Sequence, residues 1–252
     1  MERVFVHHAD GEALGCTAVA PAAGVPVRAE RVVLMHGAGN GNRARNVPLA
    51  REFAAGGHHT LAFDFSGHGD STGELAELSL ERRYRQARSV IEEFAPAGPL
   101  VLVGFSMSGQ TVADLLHHLG PRVAAIVLAA PAAYAREAWP VRFGHGFTGI
   151  LRDPDSWRTS PVFPVLAGYT GPAVLLLPER DEVIPPEVTE AVEAALGTRA
   201  DLITVTLPGS PHILGLWLSE RPADRARVVR LVAERLDRAP GHRLDRPDPV
   251  GA

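Results

Sequence analysis

Lysine is missing from this chain: all 25 residues counted as Lys+Arg are arginine. Without an ε-amino group there is no Schiff-base chemistry, no internally bound pyridoxal phosphate and no Walker-type phosphate loop. Cysteine occurs once, at Cys16, which excludes an internal disulfide and a cysteine-rich zinc site. Cys16 reads as a small apolar filler of an early strand. Neither sign of charge prevails strongly, with a net charge of -4 and 29 acidic residues spread along the chain, so no nucleic-acid or anionic-membrane surface is expected. There is no HExxH, and the adjacent histidine pairs lack i, i+4 spacing, so no metal is expected. Long apolar runs are lacking too. The run from Val123 to Ala135 is broken by Pro131 and is too short to span a bilayer, while MERVFVHHADGE lacks the apolar stretch of a signal peptide. These absences point to a cytoplasmic protein without a cofactor or a membrane partner, and they leave the oligomeric state open.

The 252 residues, 46% of them hydrophobic and 21% charged, can bury roughly three quarters of the unfolded surface in one core. Apolar runs of strand length alternate with longer helical patterns. Val4–His8 and Gly15–Ala20 read as an opening pair of strands. Arg31–Met35, Thr60–Phe65, Leu100–Phe105, Ala124–Ala129, Ala173–Leu177 and Leu202–Leu207 read as six more. Helices are expected over Val47–Ala55, Ser79–Phe94, Ser108–Leu119, Pro186–Leu196 and Ala223–Leu236. Most of the strands are apolar without alternation, as strands covered on both faces are, and the strand–helix order implies a mostly parallel, doubly wound sheet. One domain over residues 1–238 is expected, followed by a flexible tail, 239–252, rich in Pro, Gly and charge. The interval 135–172 is long for a crossover and reads as a small lid.

Ligands of an open α/β sheet bind beyond the carboxyl ends of its strands. Ser106 sits there, in Gly104-Phe105-Ser106-Met107-Ser108-Gly109, between a buried-type strand and a helix. A tight strand-to-helix turn projects such a hydroxyl above the sheet and aims a helix N-terminus beside it. A serine nucleophile needs a base, and His suits neutral pH. Of eleven histidines, His36, His68, His145 and His212 fall where they can face the site. His212 is preferred, because the loop LPGSPHIL after the last strand can swing its imidazole over Ser106. Asp181, after the preceding strand, completes the chain order Ser, Asp, His, with Glu179 as the runner-up carboxylate. GAGNGNRARN places glycines after a strand, but their spacing does not fit a dinucleotide site.

From about Val4 to Leu236 these features resemble the α/β-hydrolase superfamily. The resemblance implies an eight-stranded α/β-hydrolase fold with Ser106 as nucleophile, His212 as base and then acid, and Asp181 fixing the imidazole tautomer. It also implies an oxyanion hole from the backbone N–H groups of Met107 and of Ala38 in the HGAG turn, with His36 holding that turn and DFSGHGDSTG acting as structural support. Three positions depart from the pattern: Ser108 replaces the commoner Gly, Ser66 stands where Arg is frequent, and Pro178 stands three before the acid where Gly is usual. Trp139, Phe143, His145, Phe147 and Trp157 of the lid are the expected pocket residues. The expected activity is a serine hydrolase of a small-molecule ester, thioester or lactone (esterase or thioesterase). The alternatives are an acyltransferase or cyclase on the same triad and a catalytically silent binding protein.

Overall fold

In a computed structural model, which describes residues 1–238, all eight expected strands form: β1 (Glu2–Ala9), β2 (Glu12–Val19), β3 (Arg31–Met35), β4 (Thr60–Phe63), β5 (Leu100–Phe105), β6 (Val123–Ala129), β7 (Pro172–Arg180) and β8 (Asp201–Pro211). They make one sheet in the order β1-β2-β4-β3-β5-β6-β7-β8. β1 and β2 pair antiparallel, as do β2 and β4, and every later ladder is parallel. The expected tail lies outside the described residues.

The unalternating strands are covered on both faces. In β5, Leu100 and Leu102 enter one core cluster, while Val101, Val103 and Phe105 enter the other. On the first face lie α2 (Leu80–Phe94), α3 (Ser108–Leu119) and α6 (Pro186–Gly197); on the second lie α1 (Val47–Ala55) and α8 (Pro222–Leu236). Local signals start several of these helices. Ser79 caps α2 by accepting from the Arg82 N–H at 3.1 Å, and prolines occupy the first turns of α1, α6 and α8, where a missing N–H costs nothing.

The interval 135–172 forms no strand before β7 begins at Pro172. It holds α4 (Thr148–Leu151), α5 (Val162–Gly168), two short 3₁₀ turns and a π-turn over Phe143–Phe147. Its last part is not a flap: Val162 and Leu166 of α5 are buried in the main core beside α3 and α6. A further helix that sequence patterning passed over, α7 (Leu214–Glu220), follows β8 directly. Among the described residues no helix is long and apolar enough to cross a membrane.

Candidate active site

The turn between β5 and α3 carries Ser106 at φ +49°, a left-handed conformation that costs a non-glycine residue energy. Three backbone bonds hold it there: Ser106 N–H donates to Ala129 O at 2.8 Å, and Ser106 O accepts from Gly109 N–H at 2.8 Å and from Ala132 N–H at 3.1 Å. Gly104 is required by close approach, since a Cβ there would lie 2.7 Å from Ser108 O and from Val112 Cγ2. Helix and strand therefore meet more tightly than any side chain at position 104 allows.

His212 and Asp181 reach Ser106 by strand pairing rather than by the long loop that the sequence suggests. β7 and β8 stay paired past Leu177 and Leu207, out to Arg180 opposite Pro211, with a bulge after Pro178. The residues that follow this last pair are Asp181 and His212, so the ladder itself sets them side by side. Glu179 plays a different part, because its Oε2 accepts from Gly209 N–H at 2.7 Å, and Gly209 at φ +73° supplies the bend of the bulge. The carboxylate facing the imidazole is Asp181. Its Oδ2 lies 3.0 Å from His212 Nδ1, and His212 Nε2 lies 3.0 Å from Ser106 Oγ. With Nδ1 donating to a carboxylate, Nε2 is left to accept from the serine hydroxyl. Asp181 Oδ1 also accepts from Val183 N–H and Ile184 N–H, each at 2.9 Å. Burial pushes the Asp181 pKa up, but its bonds to His212, Ile184 and Val183 outweigh that and hold it below the ordinary carboxylate value.

The turn after β3 faces Ser106 from the other side. His36 is buried, its Nδ1 is 2.6 Å from Gly37 O, and its Nε2 accepts from Phe65 N–H at 3.1 Å. Both ring nitrogens are thus spent on backbone, so His36 fixes the turn and does not face the serine. Arg83 of α2, fully buried, donates from Nη2 to His36 O and to Ser108 Oγ, both at 2.7 Å, while Ser108 Oγ donates to His36 O at 2.7 Å. The serine that replaces the commoner glycine therefore ties α3 to the turn after β3. Burial pushes the Arg83 pKa down to about 9. Ser66 pairs in the same way with the side-chain amide of Gln86, at 3.0 and 2.9 Å. The N–H groups of Ala38 and Met107 have no acceptor among the described residues.

Three buried histidines, His36 and His68 at this turn and His58 at the opposite end of the sheet beside Glu30, have pKa values below the ordinary 6.5, chiefly through burial. Each stays neutral in the folded chain at a pH where the unfolded chain binds a proton, so the stability they contribute is present above 6.5 and is lost as pH falls below it. The urea midpoint is expected to hold steady from about pH 8 to 7 and to drop progressively from about pH 6.5 to 5. A flat or rising midpoint across the acid range would contradict this.

A cavity of about 400 Å³ opens over Ser106 and His212. Its apolar wall is Phe105, Tyr134, Val183, Ile184, Ile213 and Leu214, and its polar wall includes Asn40, Asn42, Arg45 and Asn46. The five lid residues expected to line it do not. Trp139 donates from Nε1 to Asp114 Oδ2 at 3.2 Å, His145 meets Glu77 Oε1 at 2.9 Å on the surface, and Trp157 packs on Phe163. Phe143 packs on Phe147, which stands behind the true lining residue Tyr134 with ring centroids 5.4 Å apart. Phe143 and Phe147, and Trp157 and Phe163, bury their rings against each other, while Trp139 turns towards Tyr84 and Asp114. The pocket residues are instead immediate neighbours of the motifs: Val183 and Ile184 follow Asp181, and Ile213 and Leu214 follow His212. Proximity to those two positions was the signal available in the sequence.

Residues 27–153 match the sequence profile of a family described as serine aminopeptidase, S33. A 53-residue stretch is 42% identical to the mitochondrial palmitoyl-protein thioesterase ABHD10 of Rattus norvegicus, covering 21% of this chain and 18% of that protein, far less than two thirds of its length. Among solved structures, the fold is similar to Est1E of Butyrivibrio proteoclasticus with ferulic acid bound (TM-score 0.69, 19% identity, 91% of this chain and 96% of that one). It is also similar to the thioesterase domain from the curacin biosynthetic pathway (TM-score 0.67, 17% identity, 93% and 99%). A third is the esterase EaEST of Exiguobacterium antarcticum (TM-score 0.66, 16% identity, 90% and 98%).

Proposed function

Because the chain belongs to the serine aminopeptidase family S33, a family of α/β-hydrolases, we propose that it is a serine hydrolase cleaving a carboxylic ester, thioester or lactone through an acyl-enzyme on Ser106. The observation that carries this reading is the continuous pair of contacts from Asp181 Oδ2 to His212 Nδ1 and from His212 Nε2 to Ser106 Oγ, each 3.0 Å. As Ser106 Oγ attacks the carbonyl carbon, its proton passes to His212 Nε2, and Asp181 stabilises the imidazolium. The tetrahedral oxyanion is received by the N–H groups of Ala38 and Met107. Collapse breaks the bond to the leaving alcohol or thiol, which takes the proton from Nε2. Water then repeats the sequence on the acyl-enzyme and frees the acid.

Ester or thioester cleavage is favoured over aminopeptidase action by the charge of the pocket. An aminopeptidase must neutralise the free ammonium of its substrate, and no carboxylate is among the residues lining this cavity. Esterase and thioesterase are also the activities named for three of the similar proteins. A fluorophosphonate tests the reading directly. We expect one adduct, located on Ser106 by peptide mass spectrometry, no adduct on Ser106→Ala, and labelling slowed at least about 100-fold in His212→Ala. A folded wild-type protein that stays unlabelled would overturn the assignment.

A further inference from the structure

The 3₁₀ turn Arg43–Arg45, between β3 and α1, uses its two arginines differently. Arg43 is buried and saturated: it pairs with Asp64, with Asp70 at 2.6 Å and with Thr17 Oγ1 at 3.1 Å. Arg45 is half-buried, lines the cavity over Ser106 and His212, and its guanidinium makes no hydrogen bond or ion pair with any described residue. Its charge is felt at the site, since it is among the groups that keep the His36 imidazole neutral. Asn46, next in the chain, lines the same cavity and keeps a buried Nδ2 donor without an acceptor. The nearest carboxylate of the machinery, Asp181, is committed to His212, Val183 and Ile184.

The cavity therefore brings together one cation that no described residue compensates, the apolar side chains of its wall and the Ser106 hydroxyl. A cation drawn partly out of water without a counter-charge is unfavourable until a ligand supplies one. The planar guanidinium fork matches a carboxylate, and a single charge balances a single carboxylate rather than a phosphate dianion. Resting on the serine-hydrolase reading above, we propose that the substrate is an ester or thioester that also carries a free carboxylate, which Arg45 binds while Ser106 attacks the neutral carbonyl.

The test uses the full-length protein with two matched pairs of chromogenic or ultraviolet-absorbing esters. Mono-4-nitrophenyl adipate against its methyl ester places the charge on the acyl side; 4-butanoyloxybenzoate against its methyl ester places it on the leaving side. In at least one pair the wild type is expected to favour the carboxylate by about 10- to 100-fold in kcat/KM, chiefly through KM. Arg45→Gln should bring that ratio near one, and Arg45→Lys should restore part of it, since it keeps the charge but loses the fork. The pair showing the preference identifies the side on which the charge lies. Turnover that depends on Ser106 but shows a ratio near one in both pairs, or a ratio unchanged by Arg45→Gln, would overturn this proposal and leave the hydrolase reading standing. If no ester is turned over, the hydrolase reading fails, and calorimetry with adipate decides the matter for Arg45. Binding by Ser106→Ala that is at least 10-fold weaker in Ser106→Ala/Arg45→Gln supports the carboxylate site, and equal or absent binding refutes it.

Discussion

Replacing Ser106 by alanine is expected to lower kcat/KM on an accepted ester by at least about 10⁴-fold, and replacing His212 by alanine should cost about as much. In the proposed mechanism the two side chains, joined by a 3.0 Å contact, act in one step. The double variant should therefore be no slower than the worse single one, which distinguishes a working pair from two residues that merely line a pocket. Asp181→Asn keeps the size of the side chain but favours the wrong imidazole tautomer, and a loss of about 10⁴-fold in kcat is expected. Glu179→Gln, which can still accept from Gly209 N–H, should change kcat by less than about 10-fold. Initial rates with 4-nitrophenyl esters measure all of these. If the losses of Ser106→Ala and His212→Ala multiplied in the double variant, the shared step would be excluded.

The second large effect concerns stability. Asp64 is fully buried at the end of β4 and receives the Arg43 guanidinium, the Arg43 N–H at 2.5 Å and the Asp70 N–H at 3.2 Å. Removing one member of a buried pair leaves the other charged and desolvated, and that penalty, rather than the net worth of the pair, sets the cost. Asp64→Ala is expected to destabilise by about 3–5 kcal/mol, or roughly 6–20 °C in Tm for a chain of this size. Arg43 retains Asp70, which is largely exposed and so compensates weakly. Thermal unfolding followed by circular dichroism checks this, and a shift below about 2 °C would mean that the pair is not structural. Because Phe65 N–H anchors His36, the same variant should also loosen the turn that carries Ala38.

The supports of Ser106 were legible because each is local. Gly104, Ser106 and Ser108 lie within five residues, and the constraint they satisfy, a strand meeting a helix at close range, is written in their small sizes. Asp181 and His212 were legible by position alone, each at the end of a strand. The route between them was not: the bulge that brings Arg180 opposite Pro211 depends on a Glu179–Gly209 contact between residues 30 apart in the chain. Reading LPGSPHIL as a loop missed it because Pro and Gly signal turns as readily as bulged strand ends. The lid failed for a different reason. Aromatic side chains in a Gly- and Pro-rich stretch indicate that something is buried there, without indicating against what.

What the amino-acid order determined by itself is the parallel sheet, its helices and the strand ends at which Ser106, His212 and two candidate carboxylates lie, because period, strand length and turn chemistry are local properties. Only the tertiary structure decided which carboxylate meets His212, which walls enclose Ser106 and which of two neighbouring arginines is left without a partner among the described residues. Those outcomes depend on pairings across the sheet: Arg43 is neutralised because β4 brings Asp64 beneath it, while Arg45, two residues along, meets only the cavity.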